Sequence, residues 1–269
     1  MTKPTLDLGF KSYLQSLSFL WNYRVLWTYL LLAIAPAAID LYLKNRPYLQ
    51  TNFPQFPQAP EYLIEILPAL GIVIGILGAA CIIIHSFALL DEKQTSIGET
   101  CKTLFSRLFP ILLWIVLCIL AMYLNGYITS IAATYLKENE YKGIFVTLVS
   151  IAYDILKMGI GVITSLVLPA LIFEQRTILE SFKRGILLSK QLIWAIIGGS
   201  LGLAMTPLIF LPFAFIITFM LDRMAIVQYA ATIRIILNSL LIIPFMFIAC
   251  AFFVFQAKLY HAYYKEMPE

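Results

Sequence analysis

Asp154 and Lys157 stand three residues apart in a run, 144–173, that is otherwise almost wholly apolar. At that spacing a carboxylate and an ammonium share one face of a helix and can pair. An ionisable pair inside a membrane span is a candidate for proton or ion coupling. Arg234, within the apolar run 224–257, could join them. Its planar guanidinium suits a carboxylate, from Asp154 or Asp222, or a lipid phosphate. Depth separates these chemistries. Proton-coupled transport needs the groups near mid-bilayer. Counting back the roughly 20 residues of one span from Phe173 puts Asp154 near the outer boundary instead. There an interfacial ion pair and a snorkelling Arg234 are the expectation. Asp154, Lys157 and Arg234 are the candidate ligand-binding residues.

Other reactive types do not gather. His85 lies within an apolar run, about a turn and a half from Asp91, and His261 lies in the C-terminal tail. Cys81, Cys101, Cys118 and Cys250 form no CxxC, and three of them fall inside apolar runs. Free buried thiols and hydrogen-bonded helix histidines are expected, and no metal site. No HExxH, GxSxG, phosphate-loop or dinucleotide glycine pattern occurs. The expectation is a protein that is not an enzyme, with no catalytic residues and no cofactor. Lys and Arg nowhere reach the density of a nucleic-acid patch.

Everything that could position these residues is apolar. The 269-residue chain is 61% hydrophobic and 13% charged, with a mean hydropathy of +0.87. A soluble domain is about half apolar and a quarter charged. Hydrocarbon must therefore solvate part of this one, and continuous rather than alternating runs select helices over a barrel. Six runs qualify: 25–43, 62–90, 108–136, 144–173, 192–221 and 224–257. The first is expected to be a retained span rather than a cleaved signal, because the stretch before it is long, polar and helix-patterned.

Charge orients the spans. Lys3, Lys11 and Arg24 precede run one; Lys93, Lys102 and Arg107 precede run three; Arg176, Lys183, Arg184 and Lys190 precede run five; Lys258 and Lys265 close the chain. The opposite side carries fewer: Lys44, Arg46, Lys137, Lys142 and Arg223, with Arg234 in the outer part of run six. The positive-inside rule puts both termini in the cytoplasm.

The basic segments are amphipathic. Phe10, Tyr13, Leu14, Leu17, Leu20 and Trp21 form a helical stripe in the first; Ile97, Cys101, Leu104, Phe105 and Leu108 in the second; Ile178, Phe182 and Ile186 in the third. Ser96-Ile97-Gly98-Glu99 and Thr177-Ile178-Leu179-Glu180 both read as capping boxes. The expected fold class is thus an all-α integral membrane protein of six transmembrane helices. They are arranged as three repeats of an interfacial amphipathic helix plus a transmembrane hairpin. A single membrane domain covers 1–269, with units at about 5–90, 94–173 and 176–264 and an external Pro-rich loop at 44–61. Runs two to six are longer than one span, so either steep tilt or an apolar head beyond the outer leaflet follows. Gly71-x-x-x-Gly75 and Gly198-x-x-x-Gly202 make small faces for close helix packing, within the chain or between copies.

Leu168-Pro169-Ala170-Leu171-Ile172-Phe173-Glu174, followed by Thr177-Ile178-Leu179-Glu180-Ser181-Phe182-Lys183, resembles the bacterial YciC-like inner-membrane proteins. It also resembles the membrane domain attached to some glycerophosphodiester phosphodiesterases. The specific match covers about 168–199, and the six-span layout extends it loosely to the whole chain. The resemblance implies this architecture and the bacterial inner membrane; it carries no catalytic residues, and no phosphodiesterase domain is present. The expected function is non-enzymatic: binding or moving a lipid or another hydrophobic molecule in the envelope. The alternatives are a scaffold or accessory subunit of a membrane complex and an ion-coupled transporter. Expected partners are membrane lipids, a membrane protein or a second copy, and no nucleic acid.

Overall fold

A computed structural model describes residues 5–52, 60–138, 160–162, 164–174, 177–206, 212 and 227–264. Among the described residues all regular structure is helical: α1 (Leu6–Asn22), α2 (Leu26–Asn52), α3 (Glu61–Leu90), α4 (Ile97–Ser106), α5 (Leu108–Glu138), α6 (Val167–Phe173), α7 (Ile178–Gln191), α8 (Ile193–Met205) and α9 (Val227–Tyr264). Among the described residues four segments are long and apolar enough to cross a bilayer: Leu26–Leu43, Leu63–Leu90, Leu108–Ile128 and Met246–Tyr264. Helices α7 and α8 meet at a 79° bend and make a fifth span only if taken together. Much of the expected fourth span and the outer part of the fifth lie outside the described residues. Helices α3, α5 and α9 have 30, 31 and 38 residues, against about 20 for one crossing.

The short helices start where their caps dictate. Ser96 Oγ accepts from the Glu99 N–H at 3.2 Å, and Glu99 Oε2 accepts from the Ser96 N–H at 2.9 Å. Thr177 and Glu180 repeat this reciprocal pair at the start of α7. Holding the Ser96 N–H keeps the Glu99 carboxyl below its ordinary value of 4.5. This contribution is complete above that value and fades as pH falls through the lower native one. Thr5 caps α1 by accepting from the Leu8 N–H, without a reciprocal glutamate.

The faces these helices bury overlap their apolar stripes only in part, at Tyr13, Leu20 and Leu104. Helix α1 buries Gly9, Tyr13, Ser16 and Leu20; α4 buries Thr100 and Leu104; α7 buries Ser181, Gly185, Leu188 and Ser189. Trp21 is 64% exposed, Phe105 69% and Leu179 63%. Small and hydroxyl-bearing residues face the protein, and one apolar flank of each helix is left outside.

Close backbone approach explains that choice. Helix α1 packs chiefly against α8. A Cβ on Gly9 would collide with the Ala195 carbonyl oxygen, and one on Gly198 with the Leu6 carbonyl oxygen. Tyr13 lies over Gly202, and its hydroxyl donates to the Ile248 carbonyl of α9 at 3.1 Å. Burial pushes this phenol up to about 12, so it remains a donor at any physiological pH. Between α2 and α3 the ring of Pro36 fits the notch at Gly71 and Gly75, where an added Cβ on Gly75 would lie 2.7 Å from Pro36 Cγ. Both glycine faces are therefore used within the chain.

Two local features depart from expectation. Helix α2 runs through Pro47 to Asn52, so no loop begins at residue 44. Proline removes one backbone hydrogen bond, and Asn45 Nδ2, donating to the Leu41 carbonyl at 2.8 Å, reinforces the turn before it. Residues 53–59 lie outside the described residues. The helical stretch from Ile160 breaks into a turn at Ser165 and Leu166 before α6. The freed Leu166 N–H donates to Ser189 Oγ of α7 at 3.2 Å. Gly185 lets α7 lie against this break, since its Cβ would sit 2.7 Å from Val167 Cα.

Gly198→Ala is expected to lower the stability of the full chain by about 1–3 kcal/mol, because α1 must lift from α8. Gly98→Ala is expected to raise it by about 0.5–1 kcal/mol, since its methyl meets only Ser96 Oγ at 3.8 Å. Thermal unfolding of both variants in one detergent checks the opposite signs.

Candidate functional site

The packing just described leaves a gap. Helices α2, α3, α5 and α9, the broken segment and the start of α6 line an open cleft of about 430 Å³. That falls within the range of small-molecule sites. Small residues create the room: Gly75 and Ala79 on α3, Gly161 before the break and Ala249 on α9. Pro36, seated against the Gly75 notch, contributes to one wall, and Trp114 and Cys118 of α5 contribute to another. Among the described lining residues none carries a charge.

Three lining residues are polar. Thr164 Oγ1 donates to the Ile160 carbonyl at 2.8 Å, and Ser165 Oγ to the Val162 carbonyl at 2.9 Å. Their hydrogens are spent on the helix they follow, which leaves only lone pairs to offer. Gln256 of α9 is 7% exposed, and its carboxamide has no hydrogen-bond partner among the described residues.

Toward the C-terminal ends of α3 and α9 lies a polar latch. The Tyr260 hydroxyl donates to Glu174 Oε1 at 2.8 Å, and Arg184 Nε stands 2.7 Å from the same oxygen. The Arg184 Nε–H does not point along that line, so the contact is an ion pair rather than a hydrogen bond. Glu174 is only 3% exposed. The carboxylate therefore ties the end of α6 to α7 and α9 at once. Beside it, His261 Nε2 is 2.8 Å from Asp91 Oδ1, and Lys93 Nζ is 3.3 Å from Asp91 Oδ2. Phe87 stacks on Phe173 with ring centroids 4.0 Å apart, and Phe173 on Tyr260 at 5.8 Å. A second buried set joins α2, α3 and α4. His85 Nδ1 meets the Tyr29 hydroxyl at 3.2 Å and Thr100 Oγ1 at 2.9 Å, and Thr100 also reaches the Ser96 carbonyl.

Asp154 and Lys157 lie outside the described residues. Arg234 falls on the described backbone of α9, before the part that lines the cleft. Two of the sequence-derived trio thus fall outside the described residues. His85 is the hydrogen-bonded helix histidine expected. His261, which the sequence places only in the C-terminal tail, meets the Asp91 carboxylate, 170 positions away and invisible to local spacing. The four cysteines are free, with Cys81 and Cys250 buried. Gln256 went unread because a single amide in an apolar run breaks no pattern. Its recurrence with Ala249 and Phe253 at helical spacing was the available signal.

No family model, curated protein or solved structure matches the chain. The resemblance at 168–199 rests on those residues alone.

Arg184→Met is expected to cost about 3 kcal/mol, because it removes the cation beside the buried Glu174 carboxylate. Tyr260→Phe removes a hydrogen bond to a charged group and is expected to cost about 1.5–3 kcal/mol. The double variant Arg184→Met with Glu174→Gln should recover part of the first loss, and unfolding midpoints of the three variants test the coupling.

Proposed function

We propose that this chain is a non-enzymatic, multi-pass protein of the bacterial inner membrane that holds a lipid or another hydrophobic molecule between its helices. The uncharged cleft of about 430 Å³ carries the reading. Its walls are built from the apolar spans, so hydrocarbon reaches it more readily than water does. Its size suits one acyl tail rather than a whole two-tailed phospholipid, which leaves any bulky headgroup outside.

The finer architecture belongs to the same proposal: six spans, three repeat units and both termini in the cytoplasm. Its support is the shared register of the amphipathic helices. In each, the buried face begins four residues after the N-cap: Gly9 after Thr5, Thr100 after Ser96 and Ser181 after Thr177. The distribution of Lys and Arg supports the orientation, and the resemblance at 168–199 supports the membrane assigned. A second reading, a scaffold for another membrane protein, draws on α5. Leu112, Val116, Leu120, Tyr123 and Tyr127 of α5 are all exposed, a face that either lipid or a partner helix could cover.

Native mass spectrometry of the full chain, released from the membranes in which it was made, is expected to retain an adduct of lipid mass. Cys118→Trp, which fills the cleft from α5, should lose most of it. A wild-type chain with no adduct, purified together with a stoichiometric membrane protein, would favour the scaffold instead. Orientation is tested separately. An amine reagent confined to the periplasm should leave the exposed Lys183 and Lys190 unmodified in intact cells, and modification there would invert the topology.

A further inference from the structure

We propose that Gln256 selects the ligand of the cleft: an apolar chain ending in a neutral hydroxyl or carbonyl group, as in a fatty alcohol or ester, in preference to bare hydrocarbon or an ionised headgroup. The inference rests on the lipid-binding reading of the cleft and adds the chemistry that the occupant must carry.

A carboxamide offers two N–H donors and a carbonyl acceptor. Gln256 is 93% removed from solvent, at 7% exposure, and lines the cleft. None of its polar atoms has a partner among the described residues. An amide that opens into an apolar cleft without a protein partner is available for a ligand to pair with. A hydroxyl satisfies both ends of the amide, and an ester or ketone carbonyl satisfies the donor end. Thr164 and Ser165 add acceptor lone pairs at the same cleft, because their hydrogens are held by Ile160 and Val162.

Charge is disfavoured on the same grounds. The nearby charged groups are already engaged: the buried Glu174 with Arg184 and Tyr260, the half-buried Asp91 with His261 and the exposed Lys93, and Lys258 over the Phe19 ring. No charged side chain is among the described lining residues to neutralise an ionised headgroup. Burying such a group beside an amide alone is costly. Orientation follows from α9. Met246, Ala249, Phe253 and Gln256 line the cleft along one side of this helix, a length of about 15 Å. Gln256 lies one turn before Tyr260 of the latch, so the polar group sits toward the latch and the tail runs toward Met246.

The test uses the full chain in nanodiscs and photo-crosslinking by hexadecanol and hexadecane that carry the same diazirine. Unlabelled hexadecanol, hexadecane and ionised hexadecanoate compete, and labelled peptides are mapped by mass spectrometry. The expected result is labelling of cleft peptides by both probes, with hexadecanol bound about tenfold more tightly than hexadecane and more tightly than hexadecanoate. Gln256→Leu, close in volume, should bring the alcohol-to-alkane ratio near one with alkane labelling unchanged. Equal binding of alcohol and alkane by the wild type, or an alcohol preference that survives Gln256→Leu, would overturn the role of Gln256. Hexadecanoate competing as well as the alcohol would overturn the neutral selectivity. Absence of cleft labelling by either probe would instead remove the lipid-binding reading beneath it. The wild-type ranking decides the matter even if Gln256→Leu folds poorly, a defect that lost alkane labelling would reveal.

Discussion

A leucine that moves from lipid to the surface of a neighbouring helix exchanges one hydrocarbon environment for another. Little free energy is gained from apolar burial as such, so helices in a bilayer are held by close packing and by polar contacts that have no alternative partner. The described helices obey that constraint throughout. Helix α1 meets α8 where Gly9 and Gly198 admit a backbone. Helix α2 meets α3 where Gly71 and Gly75 admit a proline ring. Helix α7 meets the broken segment through Gly185 and the hydroxyl of Ser189. Replacing any of these with a larger apolar residue would add hydrophobicity and lose the contact.

The broken segment shows how this packing reaches the site. An unsatisfied amide in hydrocarbon is expensive, so a helix can break only where another element completes it. Ser189 does so at Leu166, and the Glu174 latch fixes the far end of α6 to α7 and α9. With both ends held, Thr164, Ser165 and Leu168 stand at the cleft in a fixed place. Pro36 acts similarly on the opposite side, where its fit against Gly75 sets one wall. The cleft thus lies beside two such approaches, Pro36 against Gly75 and Gly185 against Val167.

The same constraint explains what could be read from the chain beforehand. The capping boxes were legible because their hydrogen bonds are local, four residues from end to end, and Ser96 and Thr177 make them as written. The apolar spans were legible because composition alone reports the solvent. The protein-facing sides of the amphipathic helices were legible only in part. The stripes found Tyr13, Leu20 and Leu104, which are buried, but also pointed to Phe105 and Trp21, which are exposed, and missed Thr100, Ser16 and Gly9. A search for apolar stripes assumes that water is the alternative, and here it is not. Asp91–His261 and Glu174–Tyr260 join residues 170 and 86 positions apart, and no periodicity encodes such a meeting. The loop expected at residue 44 failed for a milder reason: one proline late in a helix costs a hydrogen bond, and α2 bears that cost.

The character of the cleft also separates holding a molecule from coupling its movement to ions. Coupling requires a titratable or ion-binding group within the path, so that occupancy and charge change together. The described carboxylates and bases near the cleft lie outside its lining: Glu174 and Arg184 in the latch, Asp91 with His261, and Lys258 over the Phe19 ring. The polar groups that do line it, Gln256, Thr164 and Ser165, keep one protonation state across the physiological range. They can recognise a ligand but cannot exchange a proton for it. Any coupling by Asp154 and Lys157 would therefore have to act from outside this described lining, by changing the helices rather than the ligand's own contacts. A ligand in such a cleft would be discriminated by shape and hydrogen bonding, and the room for it depends on whether small residues keep α3, the broken segment and α9 at their present separation.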